Sequence, residues 1–383
     1  MPFRDAEILR TILGYLNSGV DLLAYDGFNY HSSGFGDDMG IYYFIPKIAE
    51  YLHLSLYQAI GSFYYWLVIF FGVLGAIGCL FLFKKIIGKM ISLFIILYIC
   101  RITLMISDVY EITSMIIVGV LPWVLYIKNN IDKKIYYLVL IILGLFVGYA
   151  GFIRSYAGIP VTIIFLFTYL FDKKINLDRR FLLISMFLFG VFLANLHFGF
   201  LINKRDNFLL NNGINVNDFP VNHPLWHSMY IGLGYYPNNH EIEWDDSCAW
   251  NMIRKISPNT RYLSPEYDRI LKNEYIRLLK NDFWFVFITY FRKGLTIVFF
   301  IIKWINVSFL LSFIYRKPKI LDIGFLLAII FSSVYGFVGL PIINYLLGMF
   351  ALCFLYNVIS INYALDKGLI DDLKKVYRKY VHR

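Results

Sequence analysis

The 383-residue sequence is poor in charge, because Asp, Glu, Lys and Arg make up 16% of it, whereas soluble domains carry about 25%. Apolar residues account for 59% of the chain, aromatic residues account for 19%, and the mean hydropathy is positive. These proportions exclude an ordinary soluble domain and indicate a membrane protein that crosses the bilayer several times.

Cysteine is also scarce, with four residues in the chain. Cys79, Cys100 and Cys353 lie within apolar stretches, and Cys248 stands alone in a long polar segment. This distribution excludes a disulfide framework. Since the sequence has no Cys-x-x-Cys pair, a cysteine-based zinc site is not expected either.

Acidic residues are fewer than basic ones, 26 against 36, which gives a net charge of +10. Most of the excess lies in short loops and in the tail from Lys367 to Arg383. There it is expected to orient the spans and to touch anionic membrane lipid. No basic patch is interleaved with a soluble fold, so nucleic acid is not an expected partner.

The first 59 residues contain no long apolar run, because Arg4, Asp5, Glu7, Arg10 and Asp21 interrupt each one. This composition is not that of a signal peptide or a membrane span. Two interpretations stay open: the segment crosses the membrane unaided, or the chain begins downstream of a first transmembrane helix.

Long apolar runs follow from residue 60 onward, and a helix of about 20 apolar residues crosses the hydrocarbon core. Loops rich in Lys and Arg alternate with loops that lack such clusters, and basic loops stay in the cytoplasm. The predicted fold is an all-α transmembrane bundle with its N-terminus outside, its C-terminus inside and an extracytoplasmic cap. The nine predicted spans are 60–82, 90–107, 112–128, 135–152, 157–171, 181–202, 294–314, 320–338 and 342–360.

Five regions follow from this topology. A juxtamembrane helix is predicted at Ile41–Leu54, and amphipathic helices are predicted at Pro265–Lys280 and Asp282–Lys293. The regions are an extracytoplasmic N-terminal segment (1–59), six spans (60–202), a large extracytoplasmic loop (203–293), three spans (294–362) and a basic cytoplasmic tail (363–383).

Two adjacent carboxylates, Asp37 and Asp38, follow a glycine-containing turn and precede the Ile41–Leu54 helix. A helix N-cap needs a single Asp, and Asp38 suits that role. The second carboxylate favours a chemical role for the pair, as a general base or a metal ligand.

A second acidic pair follows an intramembrane arginine, and Arg101, Asp108 and Glu111 fall on one helical stripe. An arginine inside the membrane is costly and normally faces the protein interior with a partner. The stripe is therefore either a structural Arg101–Asp108 pair, or an acidic and candidate metal-binding rim of Asp108 and Glu111 above a basic pocket.

Further basic residues lie on the predicted outer side. Arg154 occupies a tight turn, and its planar guanidinium suits phosphate. His223 and His227 lie in the large loop, where irregular backbone disfavours zinc; they either touch phosphate or sugar or pack within the loop. Lys293 precedes the seventh span, where it either snorkels to the surface or holds a lipid phosphate.

This arrangement resembles the GT-C superfamily of membrane glycosyltransferases, which use polyprenyl-phosphate-linked sugars. Asp37-Asp38 with the Ile41–Leu54 helix resembles the family's first acidic loop. Asp108 and Glu111 resemble its second acidic site, and segment 203–283 resembles its larger outer loop. In the family the first acidic loop follows a transmembrane helix, whereas none precedes Asp37 in this sequence.

The resemblance implies transfer of a sugar from a polyprenyl-phosphate donor to a glycan or lipid-linked acceptor, at the outer face of a bacterial inner membrane. It implies Asp38, with Asp37 as second choice, as the general base, and Arg154, Lys293 and the histidines as cations around the departing phosphate. A divalent ion, Mg²⁺ or Mn²⁺, would bridge Asp108 or Glu111 to that phosphate. An O-antigen polymerase or ligase and a lipid-linked glycan transporter are the competing interpretations.

Overall fold

The structure, a computed structural model, describes residues 2–34, 37–130, 133–214 and 224–381, and within these ranges it is almost entirely helical. The exception is an antiparallel hairpin of β1 (Leu23–Tyr25) and β2 (Tyr30–Ser32), in which Leu23 lies opposite Ser32. The predicted all-α architecture is thus confirmed in outline.

An N-terminal module precedes the long helices. Helix α1 (Pro2–Ser18) packs on β1, and α2 (Ile41–Leu52) packs on α1. Gly14 allows the contact of α1 with β1, since a Cβ there would lie 2.0 Å from the carbonyl oxygen of Leu23. Helix α2 begins at the residue that the sequence pattern predicted, and the buried Ile8 of α1 joins the core of the bundle.

Among the residues that the structure describes, eight helices are long and apolar enough to cross a membrane, so the prediction of a protein with several spans is confirmed at this level. Helices α5 and α15 are the most buried and lie at the centre, whereas the others expose one face rich in Phe, Leu and Ile. The eight are α3 (Leu56–Leu82), α4 (Ile86–Leu104), α5 (Glu111–Lys128), α6 (Ile135–Ile153), α8 (Leu177–Asn211), α12 (Phe283–Ile305), α14 (Lys319–Val338) and α15 (Ile343–Asp366).

Two predicted spans differ from the structure. The span predicted at 157–171 is α7 (Ile159–Leu170), whose 12 residues cover about 18 Å, less than the hydrocarbon thickness of about 30 Å. The span predicted at 294–314 starts earlier, as α12, and Asn306 with a φ of 43° separates it from α13 (Val307–Ile314). The segment Asp282–Lys293, predicted as a separate interfacial helix, is therefore the first half of α12.

Between α8 and α12 lies the cap, which we define as residues 224–281. It contains α9 (Leu225–Gly232), α10 (Asp246–Ile256) and α11 (Pro265–Asn281), which share an apolar core of their own. Helix α11 begins where the sequence predicted it, with Pro265 at its first position and the Ser264 hydroxyl accepting from the amide of Tyr267. Helix α16 (Leu369–Val381) ends the described chain.

Candidate functional site

A cavity of about 570 Å³ lies between the cap and the adjacent end of the bundle. Its walls come from the N-terminal module, the turns before α5 and after α6, the cap, and the junction of α14 and α15. The lining residues with charged, hydrogen-bonding or aromatic side chains are Arg4, Asp37, Tyr110, Arg154, Ser155, His227, Ser228, Trp244, Asp246, Tyr335 and Tyr345.

Arg4 joins the two acidic segments of the sequence at the floor of this cavity. Its Nε lies 3.2 Å from Oδ2 of Asp38, and its Nη1 lies 2.9 Å from Oδ1 of Asp108. Burial opposes the charge of Arg4, but the carboxylates of Asp38 and Asp108 outweigh burial and raise the pKa of Arg4. Burial raises the pKa of Asp108, and Arg4 opposes that shift. One guanidinium therefore holds two buried carboxylates close together.

Arg154 forms the second ion pair of the floor, with its Nη1 2.8 Å from Oδ2 of Asp37. Its Nη2 donates to the hydroxyl of Tyr110 over 3.3 Å, and the guanidinium carbon lies 4.8 Å from the centre of that ring. Backbone bonds fix this geometry, because the amide of Gly40 donates to the carbonyl of Phe152 and the amide of Ser155 donates to the carbonyl of Asp37. The turn before α2 and the end of α6 thus form one rigid support.

Asp38 does not cap α2. The N-cap is Gly40, which forms no side-chain capping bond, and the carboxylate of Asp38 faces Arg4 instead. Asp37 lines the cavity, whereas Asp38 is buried behind Arg4 and is not among the lining residues in the described part of the chain. The capping interpretation was wrong, and the cavity favours Asp37 over Asp38 as the carboxylate that meets a ligand.

The predicted Arg101–Asp108 pair is absent. Asp108 pairs with Arg4, and Arg101 is an exposed residue near the end of α4 that does not line the cavity. Helix α4 ends at Leu104, so the helical register does not continue to Asp108 and the two side chains do not share a helical face. The basic pocket predicted from Arg101 is formed by Arg4 instead.

Glu111 is a fully buried residue at the start of α5. Neither of its carboxylate oxygens accepts a hydrogen bond of good geometry from the described residues. Within the described ranges, no group of three or more His, Cys, Asp and Glu side chains is arranged to hold a metal ion. Since Asp108 is engaged by Arg4, the pair Asp108 and Glu111 does not fit the divalent-ion site that the sequence suggested.

On the cap side, His227 is 2% exposed and lies between two oxygen groups. Its Nδ1 is 2.7 Å from the hydroxyl of Tyr267, and its Nε2 is 3.0 Å from Oδ1 of Asp246. His227 thus lines the cavity as a neighbour of Asp246. His223 lies outside the described residues, so its predicted role stays a prediction.

Lys293 lies behind the cavity wall and is fully buried. Its Nζ donates to the carbonyl of Val338 over 3.1 Å and to that of Gly339 over 2.6 Å. A positive charge at the last carbonyls of α14 interacts favourably with the negative end of the helix dipole. Lys293 therefore supports the junction of α14 and α15 and does not reach the cavity as a phosphate ligand.

Among the residues that line the cavity, Arg4, Tyr335 and Tyr345 were not predicted from the sequence. Arg4 was recognised only as an interruption of an apolar run, because its partners Asp38 and Asp108 lie 34 and 104 positions further along the chain. The tyrosines carried no signal of their own, since the chain contains 31 of them and most lie in apolar stretches.

Comparison with protein families, with curated proteins and with solved structures finds no match for this chain. The geometry of the cavity is therefore the basis for a functional assignment.

Proposed function

We propose that the protein is an integral membrane glycosyltransferase that moves a sugar from a polyprenyl-phosphate donor to a glycan or lipid-linked acceptor. The observation that carries this proposal is the cavity floor, where Arg4, Arg154 and Asp37 line one cavity and Arg154 is paired with Asp37. Phosphate recognition needs guanidinium groups, and activation of an acceptor hydroxyl needs a base, so one cavity supplies both requirements.

The order of the helices along the chain supports our proposal that the cavity opens on the extracytoplasmic face of the membrane. Between successive segments that line the cavity, the helices come in pairs: α3 with α4, α5 with α6, α7 with α8, and α12 with α14. A chain that returns to one face crosses an even number of times, so the short α7 counts as a crossing. The basic loops then lie on the opposite face, which the positive-inside rule assigns to the cytoplasm.

In this proposal the donor phosphate binds at the two arginines. Each planar guanidinium presents several N–H groups in a fixed fork, which suits phosphate better than an ammonium group does. Arg4 is held by Asp38 and Asp108, and Arg154 is held by Asp37 and Tyr110. Their orientation is set before the donor binds, and the lipid tail lies along the apolar outer faces of the helices.

The chemical step follows from these positions. The acceptor hydroxyl oxygen attacks the anomeric carbon, the bond from that carbon to the phosphate oxygen breaks, and polyprenyl phosphate leaves with the electron pair. The proton of the hydroxyl passes to a carboxylate, for which we propose Asp37, while Asp38 keeps Arg4 in place. The two arginines stabilise the negative charge of the leaving phosphate.

The test is transfer by the purified protein in lipid nanodiscs. Undecaprenyl-phosphate-linked glucose, galactose, mannose and N-acetylglucosamine are supplied with lipid-linked glycans, and released undecaprenyl phosphate is measured by mass spectrometry. We expect Asp37→Asn to lower the rate about 100-fold or more, since general-base catalysis contributes about 100- to 10,000-fold. Asp26→Asn is the matched control, because Asp26 accepts from backbone amides in the hairpin turn and is not among the described cavity-lining residues, and Asn can accept the same bonds.

Full activity of Asp37→Asn would exclude Asp37 as the base. Transfer of glycan only from diphosphate-linked oligosaccharides, with release of the lipid diphosphate, would favour an O-antigen polymerase or ligase, which also relies on basic residues. Movement of a lipid-linked glycan across the membrane without bond cleavage would favour a transporter.

A further inference from the structure

The cap contributes a second carboxylate to the cavity, that of Asp246. This side chain is 67% exposed and lies at the first position of α10, two residues after Trp244, which also lines the cavity. Trp244 packs edge-on against Tyr345 with 5.8 Å between ring centres, and both rings line the cavity. An aromatic surface therefore lies beside an anionic hydrogen-bond acceptor.

Buried groups fix the carboxylate of Asp246 from behind. Tyr267 is fully buried, and its hydroxyl lies 2.7 Å from Nδ1 of His227. In a neutral imidazole one nitrogen donates and the other accepts. With Asp246 ionised, the consistent arrangement has Tyr267 donating to Nδ1 and Nε2–H donating to Asp246. A carboxylate accepts about four hydrogen bonds, so Asp246 can bind a ligand hydroxyl while His227 holds it.

We infer that Trp244 and Asp246 form a saccharide subsite on the cap and that His227 and Tyr267 are its positioning residues. This inference rests on the proposed sugar transfer and names where a sugar ring is recognised. A sugar ring presents an apolar C–H face and hydroxyl donors at its edge. The indole of Trp244 suits the face, and the carboxylate of Asp246 suits the hydroxyls.

The charge distribution of the cavity supports this division. The arginines lie at the floor with the carboxylates of the N-terminal module, whereas no Lys or Arg of the cap is among the cavity-lining residues that the structure describes. Phosphate is therefore drawn to the floor, and the cap side is left with groups that suit uncharged polyhydroxy compounds.

The first test is binding, which needs no turnover. The full-length protein in nanodiscs is titrated with methyl glycosides of glucose, galactose, mannose and N-acetylglucosamine, and saturation-transfer difference NMR detects contact. We expect at least one glycoside to bind, and Asp246→Asn and Trp244→Ala each to weaken it by roughly tenfold or more. Asp245→Asn is the matched control, since Asp245 caps α10 by accepting from the amide of Ser247, and Asn also caps.

Equal binding by Asp246→Asn, Trp244→Ala and the unaltered protein would overturn the inference, as would the absence of binding by every glycoside. If a glycoside binds through Trp244 and Asp246 but no sugar is transferred in the assay above, the subsite stands and the proposed transfer fails. If transfer occurs and these variants change neither binding nor the KM for acceptor, the subsite fails alone.

The positioning role of His227 has its own readout. His227→Gln retains an N–H near the position of Nε2 and is expected to keep glycoside binding within about threefold, whereas His227→Leu is expected to weaken it about tenfold. Circular dichroism is used to check that both variants are folded. Equal loss in the two variants would assign His227 to packing and contradict the positioning role.

A competition experiment distinguishes whether the subsite binds the sugar of the donor or the sugar of the acceptor. If neither undecaprenyl phosphate nor undecaprenyl-phosphate-linked sugar displaces the glycoside, the subsite takes the acceptor, because donor and glycoside then occupy the cavity together. If undecaprenyl-phosphate-linked sugar displaces the glycoside while undecaprenyl phosphate alone does not, the subsite takes the donor sugar. Displacement by undecaprenyl phosphate alone would contradict a subsite separate from the floor.

Discussion

Arg154 connects two groups of the cavity floor through separate nitrogens, Nη1 to Asp37 and Nη2 to Tyr110. It is also enclosed by tyrosine rings, since Tyr156 and Tyr335 stack with 3.6 Å between their centres and the guanidinium lies within 6 Å of both. Because the pair with Asp37 is largely buried, loss of one partner leaves the other uncompensated.

Arg154→Lys is expected to lower sugar transfer roughly 10- to 100-fold, because an ammonium group cannot maintain both contacts and a hydrogen bond to a charged group contributes about 1.5–3 kcal/mol. The measurement is kcat and KM for the polyprenyl-phosphate donor. Arg292→Lys is the control, since Arg292 is an exposed residue of α12 that lies over the ring of Tyr236. Equal rates for Arg154→Lys and the unaltered protein would exclude a role for the guanidinium fork.

At the residue scale the sequence identified Asp37, Asp38, Asp108 and Arg154. The structure places Asp37 and Arg154 in the cavity floor, and Asp38 and Asp108 behind it as partners of Arg4. Charged residues expected on one side of a membrane protein cannot lie in the hydrocarbon core. Their residue type and predicted topology were therefore enough to mark them as candidate site residues. The partner of each was not predictable, because Arg4 reaches Asp108 across 104 positions and only tertiary packing sets that distance.

At the scale of elements, the contact of α6 with α8 depends on small residues four apart. A Cβ at Gly144 would lie 2.0 Å from the carbonyl oxygen of Phe187, and one at Gly190 would lie 2.0 Å from that of Ile141. Gly148 faces Ala194 in the same way, with 2.6 Å from the added Cβ. This close approach is the small-xxx-small packing of membrane helices.

Gly144→Ala and Gly190→Ala are each expected to destabilise the folded protein by about 1–3 kcal/mol, because the added methyl group meets backbone that cannot move aside. The measurement is unfolding of the detergent-solubilised protein, followed by circular dichroism. Gly199→Ala on α8 serves as the control, since nothing lies within 4 Å of its added Cβ. If the unfolding midpoint of Gly144→Ala equals that of the control, α6 and α8 can accommodate the added methyl group without loss of stability, and the prediction is wrong.

Helix boundaries were predicted well where local chemistry sets them and poorly where it does not. Ile41 and Pro265 were placed correctly, since a glycine-containing turn and a Ser-Pro pair mark those starts. A helix was predicted from Asp282, but its continuation into the following span as α12 was missed, because Arg292 and Lys293 interrupt the apolar run. Lys293 is accommodated by the carbonyls at the end of α14, which lie 45 positions or more further along the chain.

At the scale of the whole molecule, the cavity and the basic loops are expected on opposite faces of the membrane. In a Cys248→Ser background, Phe28→Cys at the 90% exposed hairpin tip is expected to react with a membrane-impermeant maleimide in right-side-out vesicles. Lys84→Cys, in the loop before α4, is expected to react only in inside-out vesicles. Labelling of both cysteines from one side would contradict the proposed topology and the pairing of α7 with α8.

The bridge made by Arg4 has a consequence for biosynthesis. Asp108 is synthesised 104 residues after Arg4, which corresponds to on the order of 5 to 20 s of translation. During that interval α3 and α4 enter the membrane while the N-terminal helix has no Asp108 to bind. Tyr335 and Tyr345 follow far later, so the nascent chain has a complete floor long before it has a complete wall. A ribosome pause placed after α8 would therefore yield an intermediate that contains Arg4, Arg154 and their carboxylates but lacks the cap that covers them.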